Sequence, residues 1–244
     1  MILKLLFIFY FSLAFSSYSF ADKSIFDVPK SQSKISVGKS QDAKGQIQFD
    51  CWNYTQFALV QISDPALIGA KEVILRYKTR KADLCAKEFI GKSLKLNLDG
   101  TYYFKGVVGN YLFFDGADSF GGQLSFIVTS AKDGKTVLSS RRDDNKSMEV
   151  MMVKNGTPAL RYYKTLKITC PLAKDGQNCW QKILKENEIP ASAKLSEPEC
   201  KSSFLKEKSS LDNPALVSVP VVIRNLSKPK IVFTAGNPSC EPAP

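Results

Sequence analysis

The sequence predicts a mainly-β fold: an antiparallel β-sandwich or irregular barrel with a small helical, disulfide-bearing element at its C-terminal end. Three observations predict it. Short β-branched and aromatic runs alternate with turn dipeptides between residues 45 and 169. Helical spacing of apolar residues is confined to the stretch after Cys170. Six cysteines and no histidine accompany an N-terminal segment with the features of a secretory signal.

Residues 1–21 read MILKLLFIFYFSLAFSSYSFA. Lys4 supplies the positive start, and Leu5 to Phe15 form an apolar run broken only by Ser12. Ser19 and Ala21 stand where small residues precede a cleavage point. The run is shorter than the ~20 residues of a spanning helix. A cleaved signal peptide is therefore expected, with a soluble mature chain in the periplasm or extracellular space. No later segment has the length and apolarity to span a bilayer.

Residues 22–44 are Ser, Lys, Gln and Asp with isolated Ile, Val and Phe and no sustained period. They are expected to form a flexible lead-in.

Residues 45–169 are expected to form one antiparallel β domain. Gln46 to Phe49, Tyr54 to Ile62 and Glu72 to Lys78 have strand composition. Leu94, Leu96 and Leu98 alternate with Lys95 and Asn97. The dipeptide Asp99-Gly100 then precedes Thr101 to Val107, the pattern of a two-residue hairpin. Asn110 to Asp115 reads as a strand closed by Asp115-Gly116. Gln123 to Ser130 and Lys135 to Ser140 flank a turn at Lys132-Asp133-Gly134. Met148 to Lys154 and Pro158 to Thr169 flank another at Asn155-Gly156.

Residues 170–244 are expected to pack on that domain as a helical and strand extension. Trp180, Ile183 and Leu184 lie on one face of a helix from Gln177 to Glu188, and Pro190 follows. Pro198 to Lys208 reads as a second short helix. Ala215 to Arg224 and Lys230 to Thr234 return to strand character. Pro220 marks the first of these as an edge or bulged strand.

Export changes the meaning of Cys51, Cys85, Cys170, Cys179, Cys200 and Cys240. An even number in an oxidising compartment implies disulfides. Metal binding is disfavoured, because no Cys-x-x-Cys pair exists and no histidine could complete a site. Pairing of sequence neighbours gives Cys51–Cys85, Cys170–Cys179 and Cys200–Cys240.

The absence of histidine removes Ser-His-Asp triads, Cys-His dyads and the usual zinc sites. Three Gly-Lys-Ser/Thr fragments occur, but Ser33, Ala86 and Thr129 stand where a phosphate loop needs its first glycine. Ser-x-x-Lys starts at Ser31, Ser36, Ser203 and Ser227. With 26 Ser and 28 Lys, chance supplies about as many, and the companion β-lactamase motifs are absent. Asp115, Asp118, Asp143 and Asp144 form the densest acidic spots, in predicted turns that favour Asp for geometry alone. No cofactor or metal site is expected.

The formal net charge is +11, and +10 without the signal segment. It is spread as +4, +4 and +2 over residues 22–100, 101–170 and 171–244, unlike the concentrated stripe of a nucleic-acid binder. Its nearest approach to a cluster is Arg76, Lys78, Arg80 and Lys81. Arg76, Lys78 and Arg80 alternate, so on a strand they share one face. That face is the candidate anion-binding patch, against the alternative of a solvated edge that resists aggregation. Tyr102, Tyr103, Phe104, Tyr162 and Tyr163 offer either a stacking surface or core.

The expected function is a non-enzymatic binding or interaction protein of the bacterial periplasm or extracellular space. Its partners would be an anionic envelope polymer or an acidic protein surface. The alternatives are an extracytoplasmic hydrolase using carboxylates or a Ser–Lys pair, and a structural subunit of an envelope assembly.

Overall fold

The computed structural model describes residues 26–79, 83–98, 101–152 and 158–243. The signal segment, Arg80, Lys81, and the Asp99-Gly100 and Asn155-Gly156 turns lie outside those residues.

Alternation sorts the chain into layers. A first antiparallel sheet contains β1 (Ser31–Lys39), β2 (Gln46–Asn53), β3 (Phe57–Ser63), β4 (Ala70–Tyr77) and β5 (Ser93–Lys95), in that order. Phe57 and Leu59 on β3, with Val73 and Leu75 on β4, face a core shared with the second sheet. Ala58 and Val60 face the other way, with Phe49, Cys51 and Leu84. The sheet is thus apolar on both faces, as a strand buried on both sides must be.

The second sheet runs β13 (Ile231–Phe233), β12 (Ala215–Ile223), β11 (Pro158–Thr165), β9 (Thr136–Asp143), β8 (Gln123–Ser130), β7 (Tyr111–Phe120), β6 (Tyr102–Val108). β10 (Glu149–Met152) pairs with β11, and β14 (Ser239–Pro242) with β12. Leu112, Phe114 and Ile127 pack against the first sheet. Phe113, Phe126 and Val128 point to the opposite side.

That opposite side is roofed by the helices α1 (Leu172–Asp175), α2 (Gln177–Glu186) and α3 (Cys200–Lys206). Trp180 and Ile183 of α2 and Phe204 of α3 are buried against Val217, Val219, Val221 and Ile223 of β12. The fold is an antiparallel sandwich with a helical, disulfide-bearing C-terminal element.

The three disulfides join Cys51 to Cys85, Cys170 to Cys179 and Cys200 to Cys240. The first clamps the segment after β4 onto β2. The second ties the end of the β11 strand run to α2. The third fixes α3 to β14.

Four expectations are corrected. Ser31–Lys39 of the lead-in pairs with β2 along its whole length, because β2 leaves an unpaired edge that an extended chain can complete. The strands flanking Asp99-Gly100 do not form a hairpin. β5 pairs with β4 and β6 with β7, so the chain crosses between sheets there, with Leu94, Leu96 and Leu98 packed in the inter-sheet core. Asp115-Gly116 does not end its strand. β7 continues to Phe120 through a bulge between Asp115 and Ser119. Pro220 lies on an internal strand without a bulge. It pairs with Tyr163 on one side, while on the other it falls between the start of β14 and the end of β13. A missing N–H is tolerated there, and the Pro220 carbonyl accepts from the Thr234 N–H.

Candidate functional site

Arg76 does not serve as a surface cation. It is 6% exposed, with Nη1 donating to the carbonyls of Leu84 (2.9 Å) and Ala86 (2.6 Å). Its guanidinium lies over the rings of Phe49 and Phe89. Burial pulls it below its ordinary pKa, and Asp83 pushes it back up. The segment after β4 that Cys85 anchors to β2 covers the face of β4 that carries Arg76. Lys78 is exposed beyond the end of β4, while Arg80 and Lys81 lie outside the described residues. The proposed patch is therefore not assembled around Arg76.

The other sequence candidates have structural partners. Asp143 is buried, accepting from Ser218 Oγ (2.8 Å) and the Asn145 N–H (3.0 Å). Asp115 lies between Lys105 (3.5 Å) and Arg142 (3.4 Å). Ser203 Oγ donates to the Glu199 carbonyl and Ser227 Oγ to Asn225, while Ser31 and Ser36 lie on the outermost strand of the first sheet. Tyr162 is core, Phe104 packs against Trp52 and Phe114, and Tyr103 accepts from the Gly69 N–H.

The largest described cleft opens elsewhere, in the second sheet. β10 occupies the edge of β11 from Pro158 to Arg161, so β9 reaches β11 only at Arg142 opposite Lys164. Beyond that point the two chains diverge. Ser139, Ser140 and Arg141 form one wall of a cleft of about 870 Å³, and Lys164 to Ile168 form the other. Tyr102, Gln123 and Ser125 extend the first wall, and Asn187 of the α2 cap borders the second.

Arg141, Lys164 and Lys167 bring three positive charges to this cleft, and its lining holds no carboxylate. Arg141 and Lys167 are exposed and Lys164 is half-buried. Burial, and then the charge of Arg141, hold the Lys164 ammonium below its ordinary pKa. Ser140 Oγ is 2.8 Å from the Tyr162 hydroxyl, whose pKa is pushed up to about 12 by burial, against the opposing pull of Ser140. A partly desolvated ammonium without a counter-charge, as at Lys164, is costly, and an anion entering the cleft would relieve it.

Sequence reasoning missed these residues. Arg141 and Lys164 are distant in sequence and belong to no spaced motif. The only local signal was a cation on each of two strands beside hydroxyl residues, Ser139 and Ser140 before Arg141 and Thr165 after Lys164.

Fold and cleft together define a disulfide-braced β-sandwich with a cationic cleft between two diverging strands. No protein-family model matches the chain, and no curated protein or solved structure matches it.

Three disulfides suit an oxidising compartment, and no helix among the described residues is long and apolar enough to cross a membrane.

Proposed function

We propose that this is an exported, non-enzymatic binding protein that takes an anionic ligand in the cleft between β9 and β11. One observation carries the reading: Arg141, Lys164 and Lys167 line a cleft that contains no carboxylate. The hydroxyls of Ser125, Ser139 and Ser140 add neutral hydrogen-bonding groups beside the charges. The diffuse positive charge of the chain would draw an anionic envelope polymer or acidic protein towards it, and the cleft would hold one segment.

Elution from phosphocellulose tests this. The double variant Arg141→Gln/Lys164→Gln is expected to elute at lower salt than Lys39→Gln/Lys78→Gln, which removes the same charge from exposed positions elsewhere. Equal shifts in the two variants would overturn the cleft as the anion site.

A second reading makes the same cleft hydrolytic. Ser140 would be the nucleophile and Lys164, its pKa lowered by burial, the base. Turnover of p-nitrophenyl acetate that Ser140→Ala abolishes would favour it. Hydrolysis no faster than buffer would remove it.

A further inference from the structure

A cavity on one face of a strand is lined by alternate residues, because successive side chains point to opposite faces. This cleft takes alternate residues from β8, Gln123 and Ser125, but consecutive ones from the two diverging chains: Ser139, Ser140 and Arg141 on β9, and Lys164 to Ile168 opposite. It therefore reaches from one face of β8 into the gap between the edges of β9 and the continuation of β11.

The hydrogen bonding agrees. β9 pairs with β8 from Thr136 to Asp143 but with β11 only at Arg142. The continuation of β11 stays paired with β12 on its other side, with the Leu166 N–H donating to the Val217 carbonyl. In an antiparallel ladder, alternate residues direct N–H and C=O to opposite neighbours. Between Ser139 and Arg141, the backbone groups directed away from β8 have no strand partner among the described residues, whereas Val137 and Leu138 pack into the core beneath the helices. The Ser139 to Arg141 groups line an open sheet edge at the centre of a large sheet, flanked by cations.

We propose that this edge takes an extended acidic polypeptide segment as an added strand. The main chain of the segment continues the β9 ladder, and its carboxylates meet Arg141, Lys164 and Lys167. Three residues from Ser139 to Arg141 span about 10 Å at ~3.4 Å per residue, which sets the length of the paired segment. The open backbone edge selects a polypeptide among anions: a phosphate or sugar polymer could use the same three cations but would leave the β9 amides unmatched. The proposal rests on the anion-binding reading of the cleft.

The test uses the full mature chain with its disulfides intact and a fluorescein-labelled peptide of alternating Glu and Val, read by anisotropy. Two further peptides carry backbone N-methyl groups on every second residue, in opposite phases, with charge unchanged. Strand addition predicts that one phase binds at least roughly tenfold more weakly than the other, because its N-methyl groups face β9. Arg141→Gln/Lys164→Gln is expected to weaken the unmodified peptide.

Equal affinity for both N-methylated phases overturns strand addition. Binding of inorganic polyphosphate, lost in Arg141→Gln/Lys164→Gln, without binding of any peptide overturns it too, yet leaves the anion site standing. Failure of both probes to bind overturns the proposal together with the anion-binding reading.

Discussion

Arg76 is a cation used as an internal brace. Its two hydrogen bonds go to carbonyls of the segment that Cys85 anchors, and its guanidinium stacks between Phe49 and Phe89. Replacing it by Met keeps much of the volume but leaves two carbonyls without their donor. Arg76→Met is expected to lower stability by about 2–4 kcal/mol in urea unfolding. Elution from phosphocellulose should fall no further than for Lys78→Gln. A variant of native stability with sharply reduced retention would reinstate Arg76 as a surface ligand. The strand that carries Arg76 was legible from the sequence. What covered Arg76 was not, because the cover is a separate segment held by a disulfide and by tertiary hydrogen bonds.

At the scale of elements, the same contrast recurs. Most strands between Gln46 and Thr165 were legible from β-branched and aromatic runs bounded by turn residues, and α2 from helical spacing. The Asp99-Gly100 hairpin failed for a physical reason. A turn preference is local and small, whereas Leu94, Leu96 and Leu98 gain burial by packing between the sheets, and β4 offers an edge for pairing. Neighbour pairing was one of the 15 connectivities that six cysteines allow; the structure shows it and adds what each bond holds. Cys51–Cys85 closes a loop of 34 residues and pins Leu84 over the outer face of the first sheet. The double variant Cys51→Ala/Cys85→Ala is expected to lose about 3–4 kcal/mol in urea unfolding. Limited proteolysis should then cut first between Asp83 and Lys92.

Over the whole molecule, two buried tyrosines report on two different cores. Tyr54 belongs to the core between the sheets and Tyr162 to the core beneath the helices. The pKa of each is pushed up to about 12, mainly by burial. The unfolded hydroxyl ionises near pH 10, so the unfolded state releases its protons first. The contribution of these tyrosines to stability is therefore full below about pH 10 and is lost as pH rises towards about 12. Urea unfolding at pH 9 and pH 11.5 should show a larger loss for the native sequence than for Tyr54→Phe/Tyr162→Phe. Equal losses would show that neither hydroxyl differs between the folded and unfolded states.

The sequence by itself determined the strand-rich character, the position of the helices, the excess of positive charge and the cysteine supply. Each is carried by composition or by a period within a few residues. Only the tertiary structure decided which strands share a sheet, that Arg76 is buried, and that Arg141 meets Lys164. The last depends on β10 occupying the edge of β11, which leaves β9 a single pairing position and opens the cleft below it. Competition between strands for one edge involves residues far apart in the chain, so no local pattern encodes its outcome.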